Sequence, residues 1–225
     1  MAVIHNTTMS PTKLELLTTW LPTQPWYVGG DRPVPARAGG FRLDDPEGEV
    51  GLEFVVVTDD SGDRPRSYHV PLSYRGAPLD GAEHALVGTS EHGVLGRRWI
   101  YDGAHDPVLV GRLFALLVGE AEPQAQNATG TPDPTVLRSF TGTIDGPDVK
   151  PVGVRSGPSG TDIVVDTASV GPEGRLTLRV VRLLEPEPEG AAPAADLLGQ
   201  VTAGWRLPDG TEVRGRFVVA RPGDS

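Results

Sequence analysis

The chain has 225 residues, a formal net charge of -10 and no cysteine, and its 29 glycines and 22 prolines make up nearly a quarter of it. That length suits one large or two small domains with a real core, and the absence of cysteine excludes disulfides, thiol catalysis and cysteine-ligated metals. The acidic balance argues against nucleic acid or an anionic membrane as a partner, because both attract basic surfaces.

Ser10-Pro11 opens the first regular element, with a side chain able to cap and a proline suited to the first helical position. Leu14, Leu17, Trp20 and Leu21 then recur at helical spacing up to Pro22, which predicts a short amphipathic helix. Trp26-Tyr27-Val28-Gly29-Gly30 reads as a turn into an irregular stretch rich in Arg, Pro and Gly. From Phe41 the period changes. Val50 to Thr58 predicts a strand, Asp59 to Asp63 a turn, and Ser67 to Tyr74 a strand pairing back as a hairpin. Leu86 to Ser90 and Arg98 to Tyr101 predict two more strands. Asp106-Pro107 repeats the cap-plus-proline signature before a helix over Val108 to Leu117.

Glu120 to Pro134 is polar, contains proline and has no period, which marks it as a domain boundary. Strand-like runs follow at Val136 to Thr143, Val149 to Val154, Asp162 to Thr167 and Leu176 to Leu184. An acidic Pro/Ala-rich stretch (Glu185 to Ala195) precedes a closing hairpin, Val201 to Leu207 with Glu212 to Ala220. The fold class expected is α+β: a helix–sheet–helix unit over residues 1–122, then a nearly all-β unit over 135–222. The first ten residues lack the basic start and apolar core of a secretory signal, and the apolar stretch around Val108 to Val118 is too short to span a bilayer. A cytoplasmic location is expected.

No catalytic constellation emerges from the residues. His5, His69, His84, His92 and His105 are scattered without metal-ligand spacing, so no metal site is expected. Asp106 beside His105 reads as a helix cap, and Asp44-Asp45, Asp59-Asp60 and Asp63 read as solvated turns, since calcium-loop spacing is missing. There is no GxSxG elbow or Walker loop. Ser156-Gly157-Pro158-Ser159-Gly160-Thr161 has a composition that can cradle phosphate, but Pro158 removes a donor and a plain hairpin turn is the simpler reading. Trp20, Trp99 and Trp205 read as core. Trp26, beside the Gly-Gly turn, is the best candidate for an exposed aromatic, with Tyr27 next to it.

The segment Trp20-Leu21-Pro22-Thr23-Gln24-Pro25-Trp26-Tyr27-Val28-Gly29-Gly30 resembles the "WLPxQRWYxGK" opening of actinobacterial maltokinases. Tyr68-His69-Val70-Pro71-Leu72 is similar to that family's "YxVPL" strand, and Tyr101 to Pro107 to its "YDAxxDP" helix entry. Val149 to Val154 resembles the start of "VRPLGxEQSNTS", and Leu176 to Pro186 resembles "LILKLFRRLEP". Five fragments occur in family order, and the similarity is greatest to stand-alone proteins that carry a maltokinase N-terminal cap-like domain.

The resemblance implies a cystatin-like cap, a helix with a curved antiparallel sheet, followed by a β-rich subdomain like a kinase N-lobe. Maltokinases make maltose 1-phosphate from maltose and ATP. The departures point away from that activity. Arg179 stands where the resemblance places the phosphate-binding lysine, and the two are not interchangeable at a phosphate site. The Ser156–Thr161 segment replaces "QSNTS", and Glu187-Pro188-Glu189-Gly190 disfavours the helix that would carry a kinase glutamate. After Phe217 to Ala220 no HxD-like catalytic loop follows.

The expectation is therefore a non-catalytic binding or regulatory protein associated with trehalose, maltose and α-glucan metabolism, without catalytic residues or cofactor. Its expected partner is a protein of that metabolism or a second copy of the chain, capping the strand ends around Val213 to Ala220. Two alternatives stand beside it. In one, the chain is the N-lobe of a split kinase, binding ATP and Mg²⁺ through Ser156, Gly157, Ser159, Gly160, Thr161 and Arg179. In the other, it is a carbohydrate-binding module holding maltooligosaccharide with Trp26 and Tyr27.

Overall fold

A computed structural model of the chain describes residues 9–126, 130–142, 148–167, 174–188 and 196–223. In chain order these form β1 (Met9–Ser10), α1 (Lys13–Trp20), β2 (Pro35–Leu43), β3 (Gly51–Asp59), β4 (Arg66–Arg75), β5 (Leu86–His92), β6 (Gly96–Asp102), α2 (Pro107–Val118) and β7 (Gln124–Ala125). Then follow β8 (Leu137–Phe140), β9 (Val149–Gly157), β10 (Gly160–Thr167), β11 (Arg175–Val180), β12 (Leu183–Leu184), β13 (Gly199–Arg206) and β14 (Glu212–Pro222).

The helix starts follow from their caps. α1 begins two residues later than the Ser10-Pro11 signal predicts, because Thr12 and Glu15 form a reciprocal capping box: the Thr12 amide donates to Glu15 Oε2 at 2.6 Å and the Glu15 amide to Thr12 Oγ1 at 3.3 Å. Ser10 lies instead in β1. α2 starts as read. Asp106 accepts from the Val108 amide at 2.9 Å, Pro107 occupies the first turn, and Gly119 ends the helix at φ +96°, which a glycine adopts without steric cost. α2 is apolar around most of its circumference, with seven buried residues, as suits a helix enclosed by the rest of the molecule.

All described strands pair antiparallel in one sheet, ordered β1-β5-β6-β4-β3-β2-β13-β14-β11-β10-β9, with β7 on β2, β8 on β13 and β12 on β4. β3 and β4 are buried on both faces. Val55, Val57, Tyr68, Val70 and Leu72 pack under α1, while Phe54 and Val56 join a larger core formed with α2 and with β10, β11, β13 and β14. That larger core draws on both sides of the 120–134 stretch, so the early and late parts of the chain bury one continuous apolar surface. Among the described residues no helix is long and apolar enough to cross a membrane.

Three expectations change. The stretch before Phe41 is not irregular throughout: Pro35–Leu43 is a strand, whose register shift between Arg37 and Gly39 accommodates its glycines. The run Leu176 to Leu184 breaks at Val181-Arg182, where the chain leaves β11 and returns as β12 to pair with β4. Val213 to Ala220 is not a sheet edge, because β14 pairs with β13 on one side and β11 on the other. β1 and β9 end the strand path.

Candidate functional site

The residues read as nucleotide contacts lie around the β9–β10 hairpin, where Gly157 pairs with Gly160 across the two-residue loop Pro158-Ser159. Thr161 is fully buried; its Oγ1 accepts from Arg182 Nε at 2.9 Å and lies 2.9 Å from Ser156 Oγ. Arg179, on the opposite face of the sheet from Leu178 and Val180, grips Asp162 with Nε at 2.6 Å and Nη2 at 2.7 Å. A bidentate carboxylate already satisfies the guanidinium fork that a phosphate would use, and it adds a negative charge there. Glu187 accepts from Arg216 Nε, and the rest of the segment proposed to lack the kinase helix, 189–195, falls outside the described residues.

Trp26 is not an exposed platform: it is 1% exposed. Its ring meets Trp20 edge-on at 5.7 Å and Tyr68 at 6.0 Å, and the Arg182 guanidinium lies 5.0 Å from its centroid, so the Gly-Gly turn folds it inward instead of presenting it. Tyr27 is half-buried and its hydroxyl is engaged. It donates to Asp59 Oδ2 at 2.7 Å, while Asp59 Oδ1 accepts from the Val34 amide at 2.7 Å. Burial foremost, with Asp59 adding to it, pushes the Tyr27 phenol up to about 12. The pair latches the 28–34 loop onto β3.

Two arrangements are not visible in local sequence. The first centres on Arg182, which is fully buried: Nη2 donates to both Asp102 oxygens at 2.7 and 2.6 Å, Nε to Thr161, and the backbone carbonyl accepts from the His69 amide at 2.8 Å. One arginine thus joins β10, β6 and β4. A signal for it exists: Arg182 falls in phase with Leu176, Leu178 and Val180, a charge on the apolar stripe of an alternating strand. His69 beside it is buried between Phe54 and Phe217, with Nδ1 3.2 Å from the Val181 carbonyl. Burial, and next the charge of Arg182, push its imidazole down to about 3, so it is neutral.

The second arrangement brings His84 and His105 together, Nε2 to Nδ1 at 3.1 Å, although 21 residues separate them. Burial lowers His105 against the opposing pull of Asp102. Asp106, next to it, is the α2 cap and is held by Arg75 at 2.6 and 2.7 Å. Among the described residues no group of three or more His, Asp or Glu is placed to hold a metal ion.

A groove of about 1160 Å³ lies on the side of β8, β13 and β14 turned away from α2, bounded by β2 and by Pro186–Pro188. Its floor includes Gly39 and Gly204. Gly204 lies opposite Arg214, between the buried Ala203 and Trp205, on the outward face of β13. Four arginines and two glutamates line the groove. Glu212 pairs with Arg206 at 2.5 Å, and Glu187 pairs with Arg216. Among the described residues Arg214 reaches only the Thr202 and Thr135 oxygens, and Arg37 only Gln126, so there these two charges meet no carboxylate. Gln200 Oε1 and Trp205 Nε1 are buried without a hydrogen-bond partner among the described residues. Sequence reasoning missed the groove because its lining comes from segments more than 150 residues apart.

Residues 20–106 match the family model of the maltokinase N-terminal cap domain. The match runs from the last residue of α1 to the capping residue of α2, so this part of the chain is similar to a maltokinase N-terminal cap domain.

Proposed function

We propose that this cap-bearing chain is a non-catalytic binding or regulatory protein associated with trehalose, maltose and α-glucan metabolism, acting in the cytoplasm. In this reading residues 135–222 form an intermediate subdomain of the kinase N-lobe kind whose phosphate-handling residues have been given structural partners. The observation that carries it is the engagement of those residues: Arg179 is clamped by Asp162, and Thr161 is buried under Arg182. A kinase site requires a cation free to meet the phosphates. Here the cation at that position is neutralised by a neighbour in the next strand.

What is left for recognition is the groove, open and polar, with two guanidinium charges that no carboxylate among the described residues opposes. A protein of this kind would sense or present a ligand, or seat a partner of α-glucan metabolism, without turning it over. Calorimetric titration with ATP–Mg²⁺ tests this. No binding heat and no phosphorylation of added maltose is the expected result. Micromolar affinity accompanied by maltose phosphorylation overturns the proposal.

A further inference from the structure

We propose that the groove over Gly204 is a binding site for a small oxyanion, a phosphate ester or a carboxylate. This deepens the binding role proposed above and rests on it. The charge argument comes first. In a chain with a net charge of -10, a groove lined by Arg37, Arg206 and Arg214 against two glutamates is a local reversal of sign. Both glutamates are already neutralised, Glu212 by Arg206 and Glu187 by Arg216. Among the described residues Arg37 and Arg214 donate only to neutral oxygens, so no carboxylate there offsets their charge. A guanidinium held by neutral acceptors gains further from a charged oxyanion, which forms shorter and stronger hydrogen bonds with it. The acidic remainder of the protein repels extended polyanions, which limits the ligand to a small one.

The shape argument points the same way. Gly204 leaves the sheet face bare opposite Arg214, so a ligand can reach the strand backbone with the guanidinium alongside. A Cβ at Gly204 would meet only the Val213 carbonyl at 3.5 Å, an ordinary contact. Nothing in the packing of the chain requires glycine there, whereas a ligand seated in the groove would.

The test is calorimetry on the full chain with glucose 6-phosphate, gluconate and glucose as probes, repeated on Gly204→Leu and Arg214→Gln. At least one of the two anions is expected to bind ten-fold or more tightly than neutral glucose. Gly204→Leu, which fills the floor, is expected to abolish that binding with the thermal midpoint retained, and Arg214→Gln to weaken it about ten-fold. Tighter glucose 6-phosphate identifies a phosphate ester as the ligand class; tighter gluconate identifies a carboxylate. If neither anion outbinds glucose, the site is refuted. It is equally refuted if both folded variants bind as the parent does, and should Gly204→Leu fail to fold, Arg214→Gln decides alone. Maltose phosphorylation in the ATP–Mg²⁺ titration would overturn the non-catalytic reading while leaving this result standing, so the two failures are distinguishable.

Discussion

Three residues apart, Arg179 and Arg182 each face an aspartate from a neighbouring part of the fold, in opposite settings. The Arg179–Asp162 pair sits on the outer face of β10 and β11, with side chains 35% and 31% exposed; the Arg182–Asp102 pair is sealed in the interior, at 0% and 3%. The contrast separates two uses of the same chemistry. Outside, water screens the pair, and its main effect is to occupy a cation that would otherwise be free. Inside, neither charge has water to fall back on, so each depends on the other and the two parts of the chain are joined through them.

The largest expected effect breaks the interior pair. Arg182→Met leaves Asp102 buried and unpaired and is expected to cost about 3–5 kcal/mol in urea unfolding, while adding Asp102→Leu recovers much of the loss. A single-variant cost below about 1 kcal/mol would erase the contrast. Next comes acid sensitivity at the same seam. His69 titrates near 3 when folded and near 6.5 when unfolded. Between those values the unfolded chain binds the extra proton, so stability falls as the pH drops below 6.5, by about 1.4 kcal/mol at pH 5.5. Stability measured from pH 7 to 4.5 on His69→Leu should show a slope shallower by about one proton; an unchanged slope would mean that His69 is hydrated.

Thr12→Ala removes the α1 capping box, far from either pair, and is expected to lower stability by about 1 kcal/mol in a thermal scan. The smallest effect is at the surface pair. Arg179→Gln should change stability by less than about 1 kcal/mol, and 1 M salt should reduce even that difference. A larger, salt-independent loss would show that the outer pair also supports the fold.

What could be read from the chain tracks how local the cause is. α2 was legible because Asp106, Pro107, the apolar residues Leu109, Leu113, Leu116 and Leu117, and Gly119 are contiguous. The β3–β4 hairpin was legible from its alternation and Asp-rich turn. β2 was not, because Arg37, Gly39 and Gly40 have low strand propensity, and only pairing with β3, β7 and β13 makes them a strand. The inward turn of Trp26 and the meeting of His84 with His105 depend on contacts between distant segments. So does the groove, whose arginines come from β2, β8, β13 and β14.

The halves of the great sheet are joined between β2 and β13 by a single residue pairing, Gly39 with Trp205. Backbone bonding at that joint is slight, and the shared apolar core beneath it provides the cohesion. The segment matching the cap family, 20–106, ends at the residue that caps α2 and leaves the helix itself behind. Excised at those limits, it would carry Phe41, Phe54 and Val56 without the helix and strands that cover them, as a sticky open face. The segment that matches the cap model is thus smaller than the unit that buries its apolar surface.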